Sequence, residues 1–442
     1  MSSEWPLVKI SDVCAVGDGA HSKVERTSKG VLYLTSKNIG NGTLKLDKFD
    51  FISEESFNKL FPLHSKATRR PQPGDVLIGI IGTFGNAYVY KESDHFGFSS
   101  SIGILRPALQ KLIPEYLYYV ISSPRFKQIH ASADGGSVQG YTNIPSIKNI
   151  PIPLPPLKIQ KKISSFLGTL DDRITLLRET NKILESIAQT IFKSWFVDFD
   201  PVRAKMEGSQ PEGMDEATAA LFSDSFEESE LGLIPSGWKI KTVGDVTTAL
   251  GGATPSTKTE AFWTPEEFHW TTPKDLSGST SPVLLNTERH ISAAGLAKIS
   301  SGLLPVGTLL MSSRAPIGYL TISRIPVAIN QGYIAMPPDG ELAPLFMYFW
   351  CKMNMDVIKG HANGSTFMEI SKKAFRPIPI IAPSSGILDG FTQVVESLFN
   401  KISINTEQAD ALSSLRDTLL PRLISGQLRL PEAQELAEAA LS

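Results

Sequence analysis

At 442 residues the chain exceeds the roughly 250–300 at which single hydrophobic cores stop growing, so two or more domains are expected. No apolar run approaches the roughly 20 residues that span a bilayer, and residues 1–10 lack a basic stretch followed by an apolar one, so a soluble, cytoplasmic protein is expected. Forty-three basic and 45 acidic side chains nearly cancel, and two cysteines, Cys14 and Cys351, are too few for a disulfide framework or a thiolate metal site.

Along the chain, residues 1–156 read as a strand-rich unit. Short apolar runs at 31–34, 76–81, 87–90 and 102–105 are bounded by Gly, Pro, Asn and Asp, while helices are predicted at 54–60 and 114–121. Residues 1–150 hold 17 basic and 13 acidic side chains, a modestly basic balance. The unit closes on Ile150-Pro-Ile-Pro-Leu-Pro-Pro156, whose alternating prolines favour an extended, stiff connection.

The period then changes. Ile163, Leu167, Leu170, Ile174, Leu177, Asn181, Leu184, Ala188, Ile191 and Trp195 alternate spacings of four and three, predicting a long helix over 157–197 with a coiled-coil seam. Residues 198–232 follow as an acidic linker with ten acidic and two basic side chains, read as loop or partly ordered.

From 233 the chain repeats itself. Trp5, Asp12, Gly19, Gly74 and Gly85 recur 233 places later as Trp238, Asp245, Gly252, Gly307 and Gly318, and an insertion puts Lys37-Asn38-Ile39 opposite Lys274-Asp275-Leu276. Gly136, Pro151, Pro155, Leu170, Ile174 and Leu184 recur 228 places later as Gly364, Pro379, Pro383, Leu398, Ile402 and Leu412. A second unit is therefore predicted over 233–386, with strands at 309–311 and 333–336 and a helix at 344–357. A second seam helix follows over 387–425 and a tail over 426–442. Its seam runs through Phe391, Val395, Leu398, Ile402, Asn405, Ala409, Leu412, Leu419 and Leu423, with Arg416 where the register wants an apolar group.

Neither helix can bury its seam alone. The expected fold is α+β: two tandem-related strand-rich domains separated by two long helices that form an antiparallel intramolecular coiled coil with pseudo-two-fold symmetry. A buried Asn in each seam, Asn181 and Asn405, would set register, and a surface position for each is the alternative.

Catalytic signatures are missing from the sequence. Gly79-Ile-Ile-Gly82-Thr-Phe-Gly85 lacks the spacing of a nucleotide loop, the seven histidines are scattered singly, and neither a phosphate-loop lysine motif nor an Asn-Pro-Pro-aromatic string occurs. Binding is therefore expected, with no metal and no cofactor held by this chain. The binding equipment is loop-borne: Lys23, Lys37, Asn38, Arg69, Arg70, Gln139, Tyr141 and Asn143 in the first unit, and Lys274, Ser313, Arg314, Asn330, Gln331 and Ser365 in the second. Arg and Lys can grip phosphates or a guanine edge and Asn and Gln can pair with adenine, while a solvated loop is the alternative at each of these positions.

Three strings carry a family resemblance: Ile152-Pro-Leu-Pro-Pro156 running into Gln160, Phe192-Lys-Ser-Trp-Phe-Val-Asp-Phe-Asp-Pro-Val-Arg-Ala-Lys205, and the restart Leu233-Ile-Pro-Ser-Gly-Trp238. In the second copy Leu420-Pro-Arg-Leu-Ile-Ser-Gly426 looks like the closing helix of the same family. With these, the chain resembles the DNA-specificity subunit of type I restriction-modification systems over essentially its whole length. The resemblance implies two target-recognition domains that each read half of a split site, and two spacer helices on which methyltransferase subunits dock. It places S-adenosylmethionine, ATP and magnesium on methyltransferase and motor-nuclease partners. The docking and coiled-coil positions are Ile163, Leu170, Ile174, Asn181, Leu184, Ile191, Trp195, Leu398, Ile402, Asn405, Leu412 and Leu419. Competing readings are a stand-alone pseudo-dimeric DNA-binding regulator and a coiled-coil assembly scaffold without nucleic-acid binding.

Overall fold

The structure is a computed structural model that describes residues 4–64, 69–82, 85–132, 142–278, 281–364 and 368–441. Two compact units are present: residues 1–174 with 411–442, and residues 175–410. Each combines a four-stranded sheet, a three-stranded sheet and a stretch of both long helices, Leu157–Phe196 and Ser385–Ser425.

In the first unit, Cys14–Asp18, Ile102–Pro107, Val76–Gly79 and Ala87–Val89 lie side by side in an antiparallel sheet. Asp50–Ile52, Val31–Leu34 and Phe96–Phe98 form the smaller sheet, whose last pair is parallel. Helix Glu54–Leu60 starts where Ser53 caps the Ser56 N–H, and helix Pro114–Ser122 starts on a proline that needs no donor there. That second helix buries Tyr116, Leu117 and Val120 against Val76, Ile78 and Leu105, and in the same core Ile163 and Leu167 of one long helix meet Leu419 and Leu423 of the other. A further helix, Pro124–Ser132, lies beyond the predicted end at 121.

The second unit repeats the plan, with the same four-stranded and three-stranded sheets. Val283–Leu284, Leu320–Ser323, Leu309–Ser312 and Tyr333–Met336 form the larger sheet, and Arg289–Ile291, Phe268–Thr271 and Ala328–Ile329 the smaller. The helix expected over 344–357 is divided at Asn354 into Pro344–Met353 and Met355–Gly360. The recurring glycines have a physical cause in both units. A Cβ on Gly19 would stand 2.3 Å from the Phe98 carbonyl oxygen and one on Gly252 1.8 Å from that of Ile329, while Gly74 and Gly307 both sit at φ +87°.

The proline-laced exits are strands rather than free connectors. Pro151–Pro153 pairs with Leu7–Lys9 and Pro379–Ala382 with Lys239–Thr242, each in a two-stranded sheet where a residue without an N–H is tolerated at the edge. The alternation turns Ile152 and Ile380 inward.

One further expectation is corrected. Residues 198–232 fold: helices Asp200–Met206 and Glu216–Ala220 precede a hairpin of Phe226–Ser229 with Gly232–Pro235. Their few apolar groups do the work, since Phe199, Val202 and Phe222 are buried in a core with Trp195 and Trp238. The tail contains helix Leu430–Leu441, anchored by buried Ala433. Beside it Glu4 N–H donates to the Ser425 carbonyl at 2.8 Å, Arg429 bonds Glu4 at 2.8 Å, and the Arg429 guanidinium lies 4.7 Å from the Trp5 ring centre.

The long helices pack together antiparallel. In the second unit Asn405 Nδ2 donates to Asn181 Oδ1 at 2.9 Å, and Asn181 Nδ2 reaches the Ile402 carbonyl at 3.2 Å and Thr406 Oγ1 at 3.1 Å. Trp195 meets Phe391 at 6.1 Å, so one numbering falls as the other rises. Both asparagines are buried, which settles them as seam residues. Ile163, Leu170, Ile174, Trp195, Ile402, Leu412 and Leu419 are buried as well, while Leu184, Ile191 and Leu398 sit partly buried at the flank. The seam centre near Ile191 is taken by its neighbour Phe192, which is 1 % exposed.

Arg416, the misfit in the second seam, has a partner. Its guanidinium donates to Asp171 Oδ1 at 2.6 Å, and Tyr119 donates to Asp171 Oδ2 at 2.7 Å. In the second unit Tyr348 and Lys352 both donate to Glu185 Oε1 at 2.6 Å. Burial, then the adjacent carboxylate, pushes both tyrosine hydroxyls well above their ordinary range. Among the described residues no helix is long and apolar enough to cross a membrane.

Candidate nucleic-acid interface

The loops that carry the expected binding residues divide into groups spent on the fold and groups left available. In the first unit Lys23 and Lys37 are exposed, Lys37 on the short turn Ser36–Asn38. Asn38 beside it is turned into the fold. It is 4 % exposed, accepts from the Thr35 N–H at 2.9 Å and donates to the carbonyls of Lys45 and Lys48 at 2.8 and 2.7 Å, so its amide closes the loop. Asp275 does the same in the second unit by accepting from the Thr272 N–H at 2.6 Å.

Arg70 donates to the Phe61 carbonyl at 2.8 Å and to Asn58 at 3.1 Å, with its guanidinium 4.9 Å from the Phe57 ring centre, leaving a half-buried cation. Arg69 is half-buried next to it. Their loop is pinned by a bidentate pair the sequence reading did not single out: Arg106 grips buried Asp75 at 2.8 and 2.7 Å and also donates to the Arg70 carbonyl at 2.7 Å. Asn143 is exposed but caps helix Ile144–Asn149 through the Ser146 N–H at 2.8 Å. Gln139, Tyr141 and Ser365 lie outside the described residues.

In the second unit the structure brings Ser313, Arg314, Asn330 and Gln331 to one place. Ser313 N–H donates to the Gly332 carbonyl at 2.8 Å and Asn330 Oδ1 accepts from the Gly332 N–H at 2.8 Å, while Gln331 accepts from Thr254 at 2.7 Å. Ser313 is 3 % exposed, and its backbone holds this loop. Arg314 is half-buried with its guanidinium 3.7 Å from Glu369, and Lys274 is exposed, 4.0 Å from Glu288.

Sequence reasoning missed three further features. A hollow of about 610 Å3 adjoins Arg314, lined also by Ala315, Pro316, Ile317, Lys359, Met368 and Glu369. Arg289 stacks over Trp263 with its guanidinium 3.7 Å from the ring centre. Opposed on strands Phe268–Thr271 and Arg289–Ile291, His269 and His290 have ring centres 4.5 Å apart, and burial, then the neighbouring imidazole, lowers the His269 pKa. The sequence signal for the last two was the adjacent pair His269-Trp270 in a strand-like run, with no hint that Arg289-His290 lies on its partner strand. Among the described residues no group of three or more His, Cys, Asp and Glu side chains could hold a metal ion.

A strand-rich scaffold used twice, with basic and amide side chains on its loops and a paired-helix spine through each unit, defines a class of protein built for recognition. The family model described as type I restriction modification DNA specificity domain matches residues 2–186 and 235–413, and the chain belongs to that family. It is 27 % identical over 416 residues to the type I restriction enzyme HindI specificity subunit of Haemophilus influenzae, covering 83 % of this chain and 89 % of that one. Identity to the MjaIX specificity subunit of Methanocaldococcus jannaschii is 24 % over 441 residues, covering 97 % and 94 %. The crystal structure of the type I restriction-modification S subunit from M. genitalium shares the fold with a TM-score of 0.57 at 16 % identity, covering 96 % of each chain. The protein is a specificity subunit, the non-catalytic part of a type I restriction-modification complex that recognises the DNA target.

Proposed function

We propose that residues 1–156 and 233–386 are two target-recognition domains, each reading one half of a bipartite duplex DNA site. Residues 157–197 and 387–425 act as the spacer between them in a pseudo-two-fold molecule. The observation that carries this reading is the recurrence of one scaffold, down to the crowded Gly19 and Gly252, with different side chains on its loops. A shared scaffold conserves how each domain meets the duplex, and different loops let the halves differ in sequence. Lys23, Lys37, Arg69, Arg70, Asn143, Lys274, Arg314, Asn330 and Gln331 are the contact residues on this reading, phosphate contacts supplying most of the affinity and base edges the specificity.

The helices also dock two methyltransferase subunits. Support comes from an apolar stripe on the first long helix, where Leu176, Ile183 and Ile187 remain 56, 61 and 44 % exposed on the side away from the seam. The partners flip and methylate an adenine with S-adenosylmethionine, and a motor-nuclease subunit with ATP and magnesium adds cleavage. This chain lends them the address, and the complex works in the cytoplasm.

The test is a domain exchange. Replacing residues 1–150 with those of a relative, in the complex with its methyltransferase, should change one half of the methylated site and leave the other intact. A change in both halves would overturn modular reading. Tight, fully selective binding by the isolated chain would favour a stand-alone regulator.

A further inference from the structure

The loop that follows Leu309–Ser312 is held more stiffly than a surface turn requires. Ser312 Oγ donates to the Pro316 carbonyl at 2.7 Å and accepts from the Tyr319 N–H at 2.8 Å. Ser313 donates its N–H to Gly332 and accepts at its carbonyl from the Ile370 N–H at 3.0 Å. Inside this clamp Ala315 sits at φ +54°, a left-handed backbone that residues other than glycine keep only where their surroundings over-determine it. Such strain concentrates at binding sites, and here it fixes the backbone that presents Arg314.

Arg314 faces Glu369, to which its backbone is also bridged. Their charged groups stand 3.7 Å apart, beyond hydrogen-bond reach, and the side chains are 40 and 46 % exposed. The first unit shows what a satisfied structural pair looks like: Arg106 and Asp75 at 2.7 Å, with the carboxylate 1 % exposed. Arg314 and Glu369 instead keep a donor fork and an acceptor side by side and unspent. The adjoining hollow is lined by Ile317, Met368 and Pro316, with Lys359 as a second cation. Met368 is 49 % exposed, an apolar side chain held out to solvent next to charges.

In the major groove guanine offers the acceptors O6 and N7, its cytosine the N4 donor, and thymine a methyl group. We propose that Arg314 and Glu369 together read one G·C pair, Arg314 donating to guanine and Glu369 accepting from cytosine. Ile317 and Met368 receive the methyl of an adjacent thymine, and Lys359 holds a backbone phosphate. The inference rests on the two-reader function and deepens it by naming the bases that the second unit selects.

The experiment maps methylated sites in cells that carry the full chain with its methyltransferase. The half-site left unchanged by exchange of residues 1–150 belongs to the second unit, and it should contain a G·C pair beside a T·A pair. Arg314→Gln and Glu369→Gln should each relax discrimination at that one pair by on the order of 10- to 100-fold, with every other position kept. Arg314→Lys, which keeps the charge and the fold but loses the fork, should relax the same pair while methylation continues. A half-site without such a pair, an unchanged motif in Arg314→Lys and Glu369→Gln, or uniform weakening across all positions would overturn the inference. The domain exchange reads separately on the two-reader function, since it alters neither residue.

Discussion

The two units fasten a helix of the strand-rich domain to the long helices with the same three chemical groups, a tyrosine hydroxyl, a carboxylate and a cation, but draw them from different places. In the first unit Asp171 of one long helix receives Tyr119 from the Pro114–Ser122 helix and Arg416 from the other long helix, so three elements meet at one carboxylate. In the second unit Tyr348 and Lys352 both come from Pro344–Met353 and meet Glu185, so only two elements are tied. The third is held there by rings: Phe391 lies 5.0 Å from Phe196 and 6.4 Å from Phe349, and Phe399 5.6 Å from Tyr348. A repeated scaffold therefore constrains where a fastening is needed without constraining how it is made. The first unit relies on a partly buried charge network and the second on aromatic packing.

The sharpest way to break that contrast is in the second unit. Phe391→Ala removes a fully buried ring, and we expect a loss of about 3–5 kcal/mol, read as lost hydrogen-exchange protection across residues 175–410 with residues 1–174 spared. Equal loss in both units would mean that aromatic packing is not particular to the second.

Acid should act on the first unit. His130 is fully buried and its pKa is lowered by burial to about 4. Because the folded value lies below the unfolded one, the stability linked to this group is complete above about pH 6.5 and is lost as pH falls towards 4. The loss is roughly 3 kcal/mol at most. Exchange protection in the first unit should fall over that window, and a flat profile from pH 7 to 4.5 would refute the assignment.

Much of the architecture was legible because its signals are local. The seam spacings and recurring glycines can be read from a few neighbouring residues, and they located the helices, the repeat and the pairing. Arg416 was legible only as an interruption, since Asp171, which explains it, lies 245 residues away. Residues 198–232 looked like a linker because Phe199, Val202 and Phe222 follow no period and declare themselves only against Trp195 and Trp238. The binding loops were readable by composition and not by role. Asn38 and Arg314 are equally polar on paper, yet loop closure consumes one, and the other meets Lys359, Met368 and Glu369 from distant segments.

Removing the charge network should cost less than removing the ring. Asp171→Ala leaves Arg416 and Tyr119 without their shared acceptor, and we expect about 2 kcal/mol of destabilisation in the first unit by denaturant unfolding. Glu185→Ala should cost less, because Phe399 and Phe349 still hold Tyr348. The reverse order would invert the comparison.

The smallest effect concerns register. Asn181→Leu alone strands the Asn405 amide and should cost about 1–2 kcal/mol, whereas the double change with Asn405→Leu should be near neutral in stability. The double variant should lose its fixed helix alignment, visible as a spread of distances between spin labels on the two helices. A double variant as costly as the single one would show that the amides contribute stability rather than alignment.

The bond from Glu4 to Ser425, and Trp5 under Arg429, set an order of events at the ribosome. The second unit is one continuous stretch, residues 175–410, and can close as soon as it has emerged. The first unit draws on residues 1–174 and 411–442, so its packing is completed only once residues 411–442 have been synthesised. The later-encoded unit is therefore expected to fold first, with the apolar groups that await Leu419, Leu423 and Ala433 open to chaperones throughout synthesis.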